Sequence, residues 1–232
     1  MASPTPASQR AVACVIPALN AAATLGSVVG GLRAAVPGAL VVVIDDGSSD
    51  ATYGVARAAA DVALRFACNA GKGAALRAGF AEALARGAGA VITMDADGQH
   101  DPAAAPALLA ALEGSDVALG ARERGRSAMP LGRRVTNALS SAAVGAIVGF
   151  RIADTQCGFR AVRRRVLETV TAWGERYEYE TDFLIRAALA GFRVSTVPVP
   201  TLYGAAASNF RGASDSMRVV RAIWRHRARA FR

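Results

Sequence analysis

Two acidic residues separated by one position give the strongest chemical signal in this chain of 232 residues. Asp95 and Asp97 come at the end of an apolar stretch, AVITM at 90–94, and are followed by Gln99 and His100. Two carboxylates at the end of a buried strand can converge on one divalent cation, and Mg²⁺ or Mn²⁺ would accept them together with diphosphate oxygens. We predict metal ligands at Asp95, Asp97 and Gln99, with Asp97 as a catalytic residue; a solvated turn is the alternative.

A second acidic cluster, DDGSSD at 45–50, also follows an apolar stretch, LVVVI at 40–44. Turn formation and helix capping explain Ser48 and Asp50, because such side chains bond to nearby backbone amides. They do not explain why both Asp45 and Asp46 lie at the predicted edge of the sheet. Carboxylates in that place can bind the base or ribose of a nucleotide, and the two interpretations are compatible.

The sequence GKG at 71–73 opens a predicted helix and contains Lys72, the only lysine of the chain. Backbone N–H groups at a helix N-terminus, together with an ammonium group, can bind an anion or a nucleobase. The spacing of a P-loop is absent, so no phosphate-binding loop of that kind is predicted. A pair of loop glycines is the alternative explanation.

The positive charge of the chain is concentrated in its second half. The formal net charge is +9, but residues 1–110 hold 7 basic and 8 acidic side chains, against 20 and 10 in residues 111–232. This asymmetry indicates an anionic partner such as a phosphate, a nucleic acid or a membrane surface. Arg122, Arg133 and Arg134 border a loop after a predicted strand, where guanidinium groups can bind phosphate bidentately.

The elements that must position these residues alternate between strands and helices. Continuous apolar strands separated by helical stretches predict an α/β fold with a mostly parallel sheet flanked by helices, which binds ligands beyond the carboxyl ends of its strands. We predict strands at 11–16, 40–44, 62–66, 90–94, 116–120 and 194–199, and helices at 24–36, 50–60, 71–86, 102–113, 134–148, 163–172, 180–190 and 214–232. Residues 121–134 and 154–160 are predicted as loops.

Composition excludes several classes of protein. Three cysteines without a CxxC pair argue against a disulfide scaffold or a structural zinc site. Residues 1–10 lack the order of a signal peptide and read as a flexible lead-in, and the weakly polar run 138–150 is too short to span a bilayer. We therefore expect a cytoplasmic protein. Aromatic residues make up 6% and are scattered, which disfavours a nucleic-acid-binding module.

Taken together, five segments resemble the family-2 inverting glycosyltransferases, and in particular their dolichyl-phosphate mannosyltransferase and polyprenyl-phosphate glucosyltransferase branch. The segments are IPALN at 16–20, VIDDGS at 43–48, GKG at 71–73, MDADGQH at 94–100 and DTQCGFR at 154–160. The resemblance covers about residues 11–212. It implies the GT-A fold, a nucleotide-sugar donor such as GDP-mannose or UDP-glucose, a divalent metal ion and a polyprenyl phosphate acceptor.

The resemblance also implies roles for individual residues. Asp95, Asp97 and Gln99 would hold the metal on the diphosphate, and Glu180 and Asp182 would lie in an acidic segment near the sugar. Arginines would handle the acceptor and donor phosphates at Arg122, Arg133 and Arg134, with Arg211 in a loop that closes on the donor. The nucleoside would be bound at Pro17, Asn20, Ile44, Asp46 and Lys72. The family often has Glu after the asparagine of IPALN; here Ala21 follows Asn20, which leaves that contact open.

Two acceptors remain open at this stage. A lipid monophosphate is mostly dianionic at pH 7 and needs no strong base, because its second pKa is about 6. The hydroxyl of a saccharide or small molecule would need a carboxylate base, and Glu180 and Asp182 are the candidates unless they only favour the helix dipole.

The chain divides into a lead-in at 1–10, a glycosyltransferase domain at 11–212 and a basic amphipathic helix at 213–232. The domain has a nucleotide-sugar and metal half at 11–120 and an acceptor half at 121–212. Apolar residues of the last helix fall near one face, with arginines around it, which is typical of a helix lying on anionic lipid at the cytoplasmic membrane face. A helix packed on the domain is the alternative. The oligomeric state cannot be read from the sequence.

Overall fold

The computed structural model describes residues 12–122, 131–200, 202 and 226, with the backbone alone over 131–138. The strands are β1 (Val12–Ala18), β2 (Leu40–Asp45), β3 (Val62–Arg65), β4 (Ala90–Thr93), β5 (Val117–Arg122), β6 (Arg160–Arg163) and β7 (Val194–Val199). The helices are α1 (Leu25–Ala35), α2 (Thr52–Ala59), α3 (Lys72–Ala85), α4 (Ala105–Ala111), α5 (Leu131–Val148), α6 (Arg164–Thr169) and α7 (Glu178–Leu189). A short 3₁₀-helix, Pro102–Ala104, precedes α4.

Within the described residues, the strands form one seven-stranded sheet in the order β3-β2-β1-β4-β6-β5-β7. The pairs β1–β2, β1–β4, β2–β3 and β5–β7 are parallel, whereas β6 runs antiparallel to both β4 and β5. The predicted α/β fold with a mostly parallel sheet is therefore confirmed. Both predicted halves of the domain contribute strands to this single sheet.

The reversed strand β6 corrects two predictions, since 154–160 was expected to be a loop and 163–172 a helix. Arg160 pairs with Thr93 and Arg163 pairs with Ala90, so β6 begins at the carboxyl end of β4 and ends at its amino end. The residues before β6 consequently lie at the carboxyl edge of the sheet. Those after it, including the shorter helix α6, lie at the opposite edge.

Helices cover both faces of the sheet, because successive strand residues point to opposite sides. One apolar layer joins strand residues such as Ile16 and Val43 to α1, α2 and α4. The other joins Val15 and Ile44 to α3, α5, α6 and α7. Ile44 has no exposed surface, and a β-carbon at Gly79 of α3 would lie 2.6 Å from its Cδ1. The side chain of Ile44 therefore belongs to the core, and the predicted contact of this residue with a nucleoside would have to come from its backbone.

Pro17 was predicted to end the first strand but lies inside β1. The Val15 carbonyl accepts from the Met94 amide, and the Ala18 carbonyl accepts from the Asp46 amide, so alternate residues of β1 face β4 and β2. Pro17 therefore faces the β4 side, beyond Val15, the last residue of β1 that pairs with β4. Its missing N–H breaks no ladder bond, which is why proline is tolerated here.

The ends of the predicted domain stay predictions, because residues 1–11 and 203–225 lie outside the described part of the chain. The final helix does too, apart from His226, which is helical and buried. As far as the chain is described, its helices are too short or too polar to cross a membrane.

Candidate active site

The two carboxylates of the DAD sequence lie in the loop that follows β4. The amide of Gln99 donates to Asp97 Oδ1 at 2.9 Å, and the Thr24 hydroxyl donates to the Ala96 carbonyl at 2.6 Å, so both contacts fix the loop. The side chain of Asp95 is 27% exposed. As predicted, the acidic pair therefore lies at the carboxyl edge of the sheet and reaches the surface.

Lys72 links this loop to α7. Its Nζ lies 2.6 Å from Asp95 Oδ1 and 2.8 Å from Glu180 Oε2, and 5.6 Å from the centre of the Tyr177 ring. Burial alone would lower the pKa of Lys72, but the charges of Asp95 and Glu180 raise it above its ordinary value. Burial likewise raises the pKa of Asp95, and the Lys72 charge more than offsets this effect and holds it low. In this Asp-Lys-Glu cluster, Lys72 is therefore protonated and Asp95 is ionised.

The segment 173–179 packs against the start of α3, where Lys72 lies. The Glu175 carbonyl accepts from the amides of Gly73 at 2.7 Å and Ala74 at 3.2 Å. Gly71 has a φ of 103°, and a β-carbon there would collide with the same carbonyl. Both glycines of the GKG sequence are therefore required by this close approach. The amides of Gly73 and Ala74 are already used in this contact, so they are not the donors for an anion or a nucleobase at the start of α3.

Asp46 and Asn20 hold loops together at the same edge. Asp46 Oδ1 accepts from the Ala70 amide at 2.7 Å and its Oδ2 from the Gly71 amide at 2.9 Å. Burial raises the pKa of Asp46, although these hydrogen bonds oppose the change. Asn20 Oδ1 accepts from the Ser49 amide at 3.0 Å. Asp46 thus binds the loop between β3 and α3, and Asn20 binds the loop between β2 and α2. Their predicted contacts to a nucleoside stay predictions.

Arg122, at the end of β5, forms a bidentate ion pair with Asp154. The Nε–Oδ2 distance is 2.7 Å and the second N–O distance is 3.1 Å, and the Asp154 side chain is 5% exposed. Asp154 thus orients a guanidinium beside the Asp95 cluster. Arg133 and Arg134 lie in the first turns of α5, where only the backbone is described, and Arg211 lies outside the described residues.

The DTQCGFR sequence packs directly against the acidic loop. A β-carbon at Gly158 would lie 2.5 Å from Asp95 Oδ2, so only glycine leaves room for that carboxylate. Arg160 is buried and donates to the carbonyls of Cys157, Glu180 and Thr155 at 2.8 Å each. Its role is therefore structural.

The two predicted bases of α7 have different surroundings. Glu180 faces Lys72, and its Oε1 is buried with no hydrogen-bond partner among the described residues. Asp182 Oδ2 accepts from the Trp173 amide and from Arg186 Nε, each at 2.6 Å, and Oδ1 lies 2.6 Å from His226 Nε2. Burial raises the pKa of Asp182, but these hydrogen bonds outweigh it and lower the pKa. Asp182 is therefore engaged by three partners away from the Lys72 cluster.

The oxygen ligands expected for a metal ion are compatible with this site. Asp95 and Asp97 supply carboxylates and Gln99 an amide oxygen, the donor types that Mg²⁺ and Mn²⁺ accept. No group of three Asp, Glu, His or Cys side chains comes close enough to form a metal site within the described part of the chain. Mg²⁺ commonly binds through one or two carboxylates with substrate phosphates, so two carboxylates are a suitable number.

Several residues that shape the site were missed from the sequence. Asp154 and Gly158 lie in a segment recognised only as a motif, and Glu175 and Tyr177 act from a stretch predicted to be a connection. His226 had one usable signal, since it is one of only two histidines in the chain.

The comparison with protein families agrees with this geometry. Residues 13–171 match the model of glycosyl transferase family 2. The chain therefore belongs to glycosyltransferase family 2 and is a glycosyltransferase, as the resemblance implied.

Relatives and solved structures refine this assignment. The chain is 33% identical to the undecaprenyl-phosphate mannosyltransferase of Micrococcus luteus over 199 residues, 81% of this chain and 82% of that protein. It is 34% identical to the polyprenol monophosphomannose synthase of Mycolicibacterium smegmatis over 198 residues, 80% of this chain and 75% of that protein. Among solved structures, glucosyl-3-phosphoglycerate synthase from Mycobacterium tuberculosis, in complex with Mn²⁺, uridine diphosphate and phosphoglyceric acid, has a TM-score of 0.74. That match has 23% identity and covers 94% of this chain and 78% of the other, so the predicted GT-A fold is confirmed.

Proposed function

We propose that this glycosyltransferase moves a hexose, mannose or glucose, from a GDP- or UDP-linked donor to a polyprenyl phosphate with inversion at the anomeric carbon. The relatives named above act on polyprenyl phosphates, and they support this acceptor class. In the transfer, the bond from the anomeric carbon to the diphosphate breaks and a bond to an oxygen of the acceptor phosphate forms.

The observation that carries the choice of acceptor is that both candidate bases are engaged. Glu180 is paired with Lys72 at 2.8 Å, and Asp182 accepts hydrogen bonds from Trp173, Arg186 and His226. A hydroxyl acceptor must lose a proton during transfer, whereas a phosphate that is largely dianionic at pH 7 has none to lose. A lipid phosphate therefore suits a site whose carboxylates are already paired.

The charged side chains of the chain have distinct tasks in this proposal. Arg122, oriented by Asp154, would bind the acceptor phosphate, and Lys72 would keep Asp95 ionised and in place. Asp95, Asp97 and Gln99 would hold Mg²⁺ or Mn²⁺, which supplies positive charge for the departing diphosphate. Arg133, Arg134 and Arg211 are proposed as further phosphate contacts. Pro17, Asn20 and Asp46 remain proposed contacts of the nucleoside.

One observation favours a hydroxyl acceptor instead. Glu180 Oε1 is buried and has no hydrogen-bond partner in the described part of the site, so it could receive a proton after a local movement. In that case Glu180 would be the base and the acceptor would be a saccharide or another alcohol.

The two acceptors are separated by a matched pair of compounds. Purified protein with Mn²⁺ and radiolabelled GDP-mannose or UDP-glucose is offered farnesyl phosphate in one reaction and farnesol or a saccharide in the other. We expect label on the phosphate alone. Product formed only on a hydroxyl, and lost in Glu180→Gln, would show that the alternative is correct.

We also propose that the C-terminal helix, 213–232, brings the enzyme to the cytoplasmic membrane face, where a polyprenyl phosphate resides. Its arginines and Trp224 suit a surface of anionic lipid. Sedimentation with anionic and neutral vesicles tests this contact, and equal binding to both, or none, would contradict it.

A further inference from the structure

The last part of the chain contacts the catalytic domain through a buried histidine. His226 is 5% exposed, and its Nε2 lies 2.6 Å from Oδ1 of Asp182, whose side chain is 3% exposed. A carboxylate oxygen accepts, so Nε2 is the donor in this contact. The hydrogen bond joins the end of the chain to α7 at a site that water scarcely reaches.

Asp182 also forms a hydrogen bond with a second segment of the chain. Its other oxygen, Oδ2, accepts from the Trp173 amide at 2.6 Å, which ties the start of segment 173–179 to α7. Arg186, one turn further along α7, donates to the same oxygen but is 34% exposed. His226 is therefore the described partner of Oδ1, and its removal would leave a buried carboxylate oxygen unpaired.

The segment that begins at Trp173 is the one that packs against the start of α3, where Lys72 lies. The Gly174 carbonyl accepts from Arg77 at 2.5 Å, and the Glu175 carbonyl accepts from the amides of Gly73 and Ala74. Lys72 lies between two glycines that fit closely against this segment, and it reaches both Asp95 and Glu180. The hydrogen bonds of Asp182, the backbone of 173–175 and the hydrogen bonds to the Glu175 carbonyl thus connect His226 with the Asp-Lys-Glu cluster.

We propose that His226 is a positioning residue for sugar transfer: through Asp182 and the backbone of 173–175, it fixes Lys72 relative to Asp95 and Glu180. The inference rests on the proposed function for the reaction concerned. It assigns to the C-terminal stretch a part in completing the active site, in addition to any contact with lipid. It also gives Asp182 a role other than that of a base.

The experiment compares full-length His226→Ala, His226→Gln and Arg165→Ala with the unmodified protein. Glutamine can place an amide N–H near the position of the imidazole Nε2. Arg165→Ala is the matched control, because Arg165 also donates to a buried carboxylate, that of Asp116, at the opposite edge of the sheet. Hydrogen exchange followed by mass spectrometry reports on the link without any substrate.

We expect His226→Ala to speed exchange in peptides covering 71–75 and 173–177, and to lower kcat/KM for the nucleotide sugar about 10-fold. His226→Gln should restore both quantities, and Arg165→Ala should change neither. If His226→Ala does not fold, His226→Asn, whose shorter side chain cannot span the same distance, takes its place beside His226→Gln.

Unchanged exchange in both peptides, or equal losses in the Ala and Gln variants, would overturn the positioning role. A wild-type protein that transfers no sugar to a polyprenyl phosphate would instead count against the proposed function. The exchange measurement still decides in that case whether His226 is linked to Lys72, so the two failures are distinguishable.

Discussion

The two edges of the sheet both carry buried charges, but they are built differently. At the amino edge, Asp116 accepts from the Arg193 amide at 2.9 Å and from Arg165. Arg163 donates to the carbonyls of Leu112 and Ser115. Each of these charged side chains has a backbone group or an opposite charge as its partner, so the charges at this edge stabilise the fold.

At the carboxyl edge, buried polar atoms are left over. Glu180 Oε1, His100 Nδ1 and Gln156 Nε2 are buried without hydrogen-bond partners among the described residues. An unpaired buried polar atom costs about 1–3 kcal/mol, so a stable fold keeps such atoms where water or a ligand can complete them. Within the described residues, ion pairs occur at both edges, but the buried polar atoms without partners lie at the carboxyl edge. This contrast favours the carboxyl edge as the place where substrate binds. Three substitutions test this contrast.

The largest effect is expected at the carboxyl edge from Asp97→Ala. Sugar transfer should fall at least about 100-fold, because a carboxylate proposed to hold the metal ion on the departing diphosphate is lost. The melting temperature should change little, since Asp97 is partly exposed and lies in a loop. Initial rates with labelled donor and a thermal melt provide the two measurements. Metal-dependent transfer close to the wild-type rate would refute the assignment of this residue.

An intermediate effect is expected from Gly158→Ala. The added β-carbon would lie 2.5 Å from Asp95 Oδ2, so either the carboxylate or the loop must move. We expect transfer to fall about 10-fold and the free energy of unfolding to fall by about 1–3 kcal/mol. Gly114→Ala is the matched control at the other edge, since its β-carbon would have no neighbour within 4 Å. Equal behaviour of the two variants would contradict the predicted contact.

The smallest effect on activity is expected from Asp116→Ala, which should cost about 1–3 kcal/mol of stability and leave kcat/KM unchanged. Burial raises the pKa of Asp116, but hydrogen bonds from Arg193 and Arg165 bring it below the usual 3.8. Because the pKa of Asp116 is lower in the folded than in the unfolded protein, its ionised carboxylate stabilises the fold at pH values above the unfolded-state pKa. This contribution is lost as the pH falls through the folded-state pKa.

Urea unfolding of wild type and Asp116→Ala at several pH values checks this sign. The difference in the free energy of unfolding between wild type and Asp116→Ala should be constant above about pH 5 and should decrease below about pH 4. A free-energy difference that increases on acidification would contradict the predicted sign. A large loss of sugar transfer in the variant would contradict the proposed difference between the two edges.

Much of the fold could be predicted because its parallel strands are continuous apolar runs. β6 could not, since Ala161 and Val162 face opposite sides of the sheet between two arginines, and its four residues show no alternation. Its conformation comes from pairing with β4 and β5, which are distant in sequence. Because β6 runs in the reverse direction, the DTQCGFR segment lies at the carboxyl edge of the sheet.

The candidate site was predictable where chemistry follows a strand, as at Asp95 and Asp97. It was not predictable where two distant segments meet. Ile44 resembled a pocket residue by motif, yet the alternation of β2 points it into the core. Asp182 resembled a base by its position near Glu180, yet it lies two residues further along a helix and meets Trp173 and His226 instead.

Lys72 carries the only side-chain amine of the protein, and its side chain is 13% exposed while two carboxylates hold the ammonium. Amine-directed acylating reagents therefore have a single side-chain target, located between Asp95 and Glu180 in the candidate site. The folded chain should resist such labelling on its side chains, and any modification of Lys72 would mark molecules whose site has opened. Because the chain has a single lysine, acylation of its side-chain amine would report directly on the opening of this site.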